Sequence, residues 1–305
     1  MLVHRIWAVK KLLHVSSRYT AEAGRLEDKP MQKKIAVIND LSGYGRCSLT
    51  VAIPVLSAMG HQCCPVPTAI LSNHTEFPVY FFDDYTEKMT TYTDKWKELG
   101  LSFDAIATGF LGSEAQIGIV MEIVQKLKAE KTFVVVDPVM GDHGHAYETY
   151  TPEMCEQMKE LVCMADVVLP NVTECCILTD TPYKEENWTR KELLNMAMML
   201  RLMGAKSVVI TGVREGSCYT NVVLEQGQYD AKFIRTRSSG GERPGTGDVF
   251  SSVVAGALLN GKSLPEAVSQ AAGFVKECIK VSDEEQIPHA NGVCFEKILG
   301  KLIKK

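Results

Sequence analysis

The chain has 305 residues, of which 46% are hydrophobic and 23% are charged, so it is long enough to bury a sizeable core. A formal net charge of −4 and the lack of Lys/Arg runs in the body of the chain argue against nucleic-acid binding. No apolar run approaches the ~20 residues that a membrane helix needs.

Residues 1–30 differ in composition from the rest of the chain. The first twenty residues are basic and contain no acid, which is typical of a transit peptide or of a poorly ordered extension, and we favour the extension. We expect residues 31–305 to form one folded domain. The 10 cysteines show no C-x-x-C spacing, which favours reduced thiols in a cytoplasmic protein.

Strands and helices alternate along most of the chain. Short apolar runs predict strands at 34–38, 64–70, 105–108, 132–136, 166–169, 207–211, 218–224 and 231–234. Apolar spacing of three and four residues predicts helices at 49–59, 85–99, 117–127, 154–162, 174–178, 192–203, 248–259, 265–279 and 293–303. Because parallel strands need long crossovers, this alternation predicts a three-layer α/β/α fold with a mostly parallel central sheet.

Residues with binding chemistry follow the predicted strands at the point where each strand ends. These residues are Asp40, Phe110, Asp137, Asn171 and Thr211. In an open α/β sheet, ligands bind at the carboxyl edge of the strands. The pattern therefore predicts a ligand site at that edge.

A glycine-rich turn opens the helix predicted at 248–259. Gly245, Thr246, Gly247 and Asp248 follow Pro244, and a helix start of this kind offers exposed N–H groups to an anion. Asp248 has two interpretations on the residues alone: a base that takes a proton from an attacking hydroxyl, or an ordinary N-cap.

Two further pairs of polar side chains also have two interpretations, a binding role or a capping role. Asp137 and Asp142 bracket a turn after a buried strand, and Asn171 and Glu174 open the next predicted helix. Mg²⁺ is bound through one or two carboxylates together with phosphate oxygens, but each acid is also a plausible helix or turn cap. Three acids at one sheet edge, close to an anion site, favour a metal–phosphate site.

Residues 256–263 match the P-loop pattern in every letter. A P-loop lies between a strand and a helix, whereas Gly256 falls inside a predicted helix. We therefore expect Gly261 to end that helix and Ser263 to cap the next one. His74, in the stretch 72–75, is interpreted as a structural histidine.

These motifs together resemble those of a known enzyme family. The GTGD turn resembles that of the ribokinase-like small-molecule kinases. The stretch S-N-H-T at 72–75, with D-P-V-M-G-D at 137–142 and N-x-x-E at 171–174, is similar to the vitamin B6 (pyridoxal) kinases within that family. The resemblance covers the chain from about residue 34 to the last helices, and it implies a ribokinase-like fold with a small β lid.

The resemblance implies a reaction and a set of roles. It implies ATP-dependent phosphorylation of the hydroxymethyl group of pyridoxal, pyridoxine or pyridoxamine, with Mg²⁺, possible use of a monovalent cation (K⁺ or Na⁺), and a homodimer. The general base would be Asp248, within an anion hole formed by Gly245, Thr246 and Gly247. The remaining roles, by matching position, are substrate binding by Asp40, Thr75 and Phe110, ATP binding by Asp137, Asn171, Glu174, Thr211 and Gly212, and metal binding by Asp137, Asp142 and Glu174.

The sequence departs from the B6 kinase pattern in two places. Asp40 stands where those kinases place a serine, and an aspartate there would favour a cationic substrate. Phe110 stands where tyrosine is common. The alternatives are a hydroxymethylpyrimidine kinase of thiamine synthesis, which usually has cysteine at the position of Asp248, and a non-catalytic sensor of B6 vitamers on the same fold. A dinucleotide-binding oxidoreductase is disfavoured because no complete glycine fingerprint is present.

Overall fold

The computed structural model describes residues 31–303, and the predictions for residues 1–30 lie outside them. Residues 31–303 contain eleven strands: β1 Lys34–Tyr44, β2 Gln62–Asn73, β3 Phe82–Asp84, β4 Ala105–Thr108, β5 Phe133–Val136, β6 Gly141–Asp142, β7 His145–Ala146, β8 Val167–Val168, β9 Ser207–Glu215, β10 Cys218–Leu224 and β11 Lys232–Arg237. The same part of the chain contains eight α-helices: α1 Ser48–Ala58, α2 Thr86–Glu98, α3 Glu114–Leu127, α4 Pro152–Cys163, α5 Val172–Thr179, α6 Arg190–Met203, α7 Thr246–Leu259 and α8 Leu264–Glu284.

A mixed sheet forms the centre of the fold. Its strand order is β11-β10-β9-β8-β5-β4-β1-β2-β3 in a 9-stranded sheet, while β6 and β7 form a separate small antiparallel hairpin. The pairs from β2 across to β9 are parallel, and the pairs β2–β3, β9–β10 and β10–β11 are antiparallel. The predicted α/β class with a mostly parallel sheet is therefore confirmed.

Two apolar cores lie on the two faces of the sheet. One core contains buried residues of α2 to α6, and the other contains buried residues of α1, α7 and α8. The parallel strands are apolar on both faces, as expected for strands covered by helices on each side. Among residues 31–303 no helix combines the length and the apolar composition that a membrane crossing requires.

The structure corrects several predicted boundaries. β1 does not end at residue 38 but continues to Tyr44, because Leu41–Tyr44 pairs with Ile70–Asn73 of β2 after a register shift. Asp40 therefore lies inside β1, not after it. β9 likewise continues to Glu215, so Thr211 and Gly212 lie within a strand.

The last predicted helix is also different. Residues 293–303 do not form an α-helix; the segment Glu296–Leu302 is a 3₁₀-helix, with Ile298 N–H donating to the Phe295 carbonyl. The strand β3 and the hairpin β6–β7 were not predicted, because two or three residues are too few to show a hydrophobic period.

The P-loop-like segment folds as expected from its context. Gly256 lies inside α7, and Ser263 caps α8 in a capping box with Glu266. Gly261 has a φ of 83°, the left-handed conformation that ends a helix. These residues therefore form the junction of two helices and not the strand–loop–helix unit of a P-loop.

Replacement of a central core side chain should measure how much the sheet depends on its packing. Ile106 in β4 has 0% exposure, so Ile106→Ala should lower the free energy of unfolding by about 2–5 kcal/mol. Leu202→Ala is the control, since Leu202 is 87% exposed and its loss should cost no more than about 0.5 kcal/mol. Denaturant unfolding measures both, and equal effects of the two variants would contradict this packing.

Candidate active site

The start of α7 depends on Gly245, whose backbone conformation and close surroundings both favour glycine. Gly245 is the N-cap of α7 and has a φ of 79°. A Cβ at Gly245 would lie 1.8 Å from the carbonyl oxygen of Arg46. Both the left-handed backbone and the close approach of a second chain segment therefore require glycine. The helix that follows begins with Thr246 and presents its N-terminal end, where the helix dipole favours anions.

Asp248 lies in the first turn of this helix and is partly buried. Its Oδ1 accepts a hydrogen bond from Asn39 Nδ2 at 3.2 Å, and the carboxylate also accepts the backbone N–H of Ser48. Burial raises the pKa of Asp248 to about 6, and the charge of Asp40 adds to the increase. A carboxylate with this pKa is well matched to take a proton near neutral pH.

Asp137 follows β5 and shares the neighbourhood of Asp248. It is partly buried, and its carboxylate accepts a hydrogen bond from the Ser251 side chain of α7. Burial raises the pKa of Asp137, and the nearby charge of Asp248 raises it further. No lysine or arginine within residues 31–303 forms an ion pair with either carboxylate. The two acids thus form a site that a cation would stabilise.

Glu174 and Asn171 join α5 to the segment after β5. Glu174 is 3% exposed, and its two oxygens accept the N–H groups of Met140 at 3.1 Å and Asn171 at 2.7 Å. Asn171 accepts the Glu174 N–H at 2.9 Å and donates to the Gly141 carbonyl at 2.9 Å. The capping interpretation is thus what the structure shows, and direct binding of metal or ATP by this pair stays a prediction.

The hairpin β6–β7 carries Asp142 over the same region. Asp142 is exposed, and its Oδ1 accepts the His143 N–H at 2.8 Å. Tyr147, just after the hairpin, is 42% exposed, and partial burial of its phenol raises its pKa, with a further increase from the charges of Glu174, Asp142, Asp137 and Asp248. The described residues contain no group of three or more His, Cys, Asp or Glu side chains arranged to hold a metal by themselves.

Asp40 is engaged with serines of its own neighbourhood. It is 6% exposed, and its two oxygens accept hydrogen bonds from the hydroxyl groups of Ser42 at 2.8 Å and Ser48. Ser48 has a φ of 51°, an unfavourable conformation that the bond to Asp40 helps to hold. The Ser48 N–H in turn donates to Asp248. Asp40 therefore helps to position Asp248 indirectly, by holding Ser48. A contact of Asp40 with substrate stays a prediction.

The other predicted substrate residues lie in loops beside β1. Phe110 follows β4 and is half-buried, and its N–H donates to Asn39 Oδ1 at 2.9 Å. Thr75 is exposed in the turn after β2. The neighbouring His74 is buried, and its Nε2 lies 2.7 Å from the Ala290 carbonyl oxygen, which agrees with its structural interpretation.

The predicted nucleotide residues of β9 lie next to Asn171. Thr211 N–H donates to the Pro170 carbonyl at 2.8 Å, and Thr211 forms a parallel bridge with Asn171. Gly212 is exposed with a φ of 67°, and its N–H donates to Asn221 Oδ1 at 3.2 Å.

Two residues of the site were not predicted from the sequence. Asn39 is not among the predicted site residues, although its side chain donates a hydrogen bond to Asp248. Tyr147 was not considered, because a tyrosine in a loop carries no periodic signal. The position of Asn39 in the first strand, one residue before a predicted site residue, was the available signal for it.

Comparison with known proteins gives the family. A family model described as phosphomethylpyrimidine kinase matches residues 52–294, which is most of the chain. The chain belongs to the phosphomethylpyrimidine kinase family.

Proteins that are similar to the chain include B6 kinases. A proposed phosphomethylpyrimidine kinase of Bacteroides thetaiotaomicron, crystallised with pyridoxal, is 40% identical, with a TM-score of 0.84 over 89% of this chain and 96% of that one. Pyridoxal kinase of Lactobacillus plantarum is 27% identical, with a TM-score of 0.82 over 90% and 97% of the two chains. The pyridoxine/pyridoxal/pyridoxamine kinase of Bordetella avium is 26% identical over 85% of this chain and 90% of its own length.

The close approach at Gly245 can be tested against a matched glycine. Gly245→Ala should destabilise the protein more than Gly216→Ala, because Gly216 has a similar φ of 61° but no atom within 4 Å of an added Cβ. We expect a cost of about 1 kcal/mol for Gly216→Ala and at least about 2 kcal/mol more for Gly245→Ala, measured by denaturant unfolding. Equal losses would show that the contact with Arg46 relaxes freely.

Proposed function

We propose that this protein is a kinase that transfers the γ-phosphoryl group of ATP to the 5′-hydroxymethyl group of pyridoxal, pyridoxine or pyridoxamine. The observation that carries the proposal is the partly buried Asp248 carboxylate, with its pKa raised to about 6, at the start of a helix built to receive an anion. The proposal is supported by the B6 kinases among the similar proteins and by the pyridoxal in one similar crystal structure.

In the proposed reaction, Asp248 accepts the proton of the substrate hydroxymethyl group. The oxygen then forms a bond to the γ-phosphorus in line with the bond that breaks, and ADP leaves. The N–H groups of residues 245–247 stabilise the negative charge of the transferring phosphoryl group, and the Thr246 N–H exchanges its long 3.5 Å contact with the Arg243 carbonyl for the phosphate. The Asp248 carboxylate accepts hydrogen bonds from the Asn39 amide and from the Ser48 N–H.

We propose Mg²⁺ as the cation of the site, held by Asp137 and by ATP phosphate oxygens, with Asp142 and Glu174 nearby. These residues suit Mg²⁺ because they offer only oxygen ligands. A cation would also relieve the repulsion between Asp137 and Asp248, which raises the pKa of Asp137. When bound, Mg²⁺ neutralises phosphate charge. Asn171, Thr211 and Gly212 would contact the nucleotide, and Asp40, Thr75 and Phe110 would contact the vitamer. Use of K⁺ or Na⁺ stays a prediction.

A hydroxymethylpyrimidine kinase is the second candidate, because the matching family model carries the name of a pyrimidine kinase. Initial rates with each of the three vitamers and with hydroxymethylpyrimidine, at equal ATP, separate the two candidates. We expect a higher kcat/KM for at least one vitamer than for the pyrimidine. A clear preference for the pyrimidine would replace the B6 assignment, and binding of vitamers without ATP consumption would favour a sensor.

The role of Asp248 can be measured by removing its charge. Asp248→Asn should lower kcat by roughly 10²–10⁴-fold, the usual loss for a general base. Asp180→Asn is the control: Asp180 is an exposed carboxylate with a φ of 53°, which asparagine also adopts. Near-normal turnover of Asp248→Asn would mean that another group takes the proton.

We also propose that the protein is a cytoplasmic homodimer. The cytoplasmic location is supported by the cysteines: all ten lie within residues 31–303, and none of them forms a disulfide. Reduced thiols of this kind are typical of a reducing compartment. Dimer formation is supported by an exposed apolar segment beside the edge strand β3, where Val79 is 79%, Tyr80 50% and Phe81 64% exposed.

Light scattering after size exclusion tests the dimer. Phe81→Asp should shift the protein towards the monomer, because it adds a charge to this apolar segment. Tyr229→Asp is the control, since Tyr229 is 82% exposed elsewhere on the surface. A monomeric wild-type protein, or equal behaviour of both variants, would contradict the proposal.

A further inference from the structure

Asn39 connects three parts of the fold through one side chain. It lies in β1, at the point where the register with β2 shifts. Its Oδ1 accepts the N–H of Phe110, which follows β4, at 2.9 Å and the N–H of Asp40 at 3.0 Å. Its Nδ2 donates to Oδ1 of Asp248, at the start of α7, at 3.2 Å.

The orientation of this amide is fixed by chemistry. The N–H groups of Phe110 and Asp40 can only donate, so the oxygen of Asn39 must face them. The NH₂ group must then face Asp248, whose carboxylate can only accept when ionised. A hydrogen bond to an ionised carboxylate is stronger than one between neutral groups, and this one favours the charged form of Asp248.

Gly109 provides the space that this amide occupies. A Cβ at Gly109 would lie 2.3 Å from Asn39 Nδ2 and 2.5 Å from its Cγ. Gly109 does not have a positive φ, so its backbone conformation does not require glycine. The close packing of the Asn39 side chain is therefore the physical reason for glycine between β4 and Phe110.

We propose that Asn39 is a positioning residue of the phosphoryl transfer. Together with the Ser48 N–H, its amide fixes the rotation of the Asp248 carboxylate and keeps it ionised, so that Asp248 can accept the proton of the substrate hydroxyl. Gly109 is part of the same arrangement, because its lack of a side chain leaves room for the Asn39 amide. This inference rests on the proposed function of Asp248 as the base.

Two variants disturb the contact between Asn39 and Asp248 in different ways. Asn39→Asp keeps the shape and the oxygen that accepts the Phe110 and Asp40 N–H groups, but it replaces the donor to Asp248 with an acceptor. Gly109→Ala leaves every polar group in place and displaces the amide. Gly118→Ala in α3 is the control, since an added Cβ there meets no atom within 4 Å.

Steady-state kinetics, with the folded fraction measured by circular dichroism, separates positioning from a structural role. Asn39→Asp and Gly109→Ala should each lower kcat per folded enzyme by about 10- to 100-fold while KM for the alcohol and for ATP changes by less than about threefold. Gly118→Ala should keep the wild-type values. Wild-type kcat per folded enzyme in both Asn39→Asp and Gly109→Ala would overturn the proposal.

The choice of substrate does not decide this test. The kinetics use whichever alcohol the wild-type protein phosphorylates, so a preference for the pyrimidine would overturn the B6 assignment alone. A double-mutant cycle of Asn39→Ala and Asp248→Ala in denaturant unfolding tests the contact without any turnover. We expect a coupling of about tenfold or more in the folding equilibrium constant, and additive effects would overturn the proposed contact.

Discussion

The site depends on one arrangement that is unfavourable in free energy: the carboxylate of Asp248 is partly buried and lies close to other carboxylates. Burial and the charge of Asp40 both raise the pKa of Asp248, so the ionised form needs support. That support comes from donors: the Asn39 amide, the Ser48 N–H and the N-terminal end of α7. Each donor is held by a separate feature, namely the space at Gly109, the bond from Ser48 to Asp40, and the close approach at Gly245.

The neighbouring acids differ in how many hydrogen bonds their oxygens accept from the protein. Glu174 and Asp40 accept hydrogen bonds at both oxygens from groups of the protein, so they hold the fold of the site together. Asp137 faces Asp248 and is paired with no lysine or arginine of residues 31–303, and Asp142 lies exposed on the hairpin β6–β7. Substrate phosphates and a divalent cation would complement each other here, with the helix end for the anion and Asp137 for the cation.

The layered architecture could be predicted from the sequence because buried parallel strands and amphipathic helices leave strong periodic signals. The location of the site could also be predicted, because Asp137 and Asn171 follow strands and Asp248 follows a glycine-rich turn. Short elements such as β3 and the hairpin β6–β7 leave no period, and the extension of β1 depends on pairing with β2. The place of Asn39 beside Asp40 in the sequence indicates only that it lies near the site. Its contact with Asp248 could not be predicted, because Asp248 lies 209 residues away in the chain and is brought close only by folding.

A crystal structure with a B6 vitamer and a non-hydrolysable ATP analogue tests the central claim most directly. If Asp248 is the base, its carboxylate should lie within about 2.6–3.2 Å of the hydroxymethyl oxygen of the vitamer, with the terminal phosphate at the start of α7. A hydroxymethyl group bound out of reach of Asp248, or a terminal phosphate away from residues 245–247, would contradict the account.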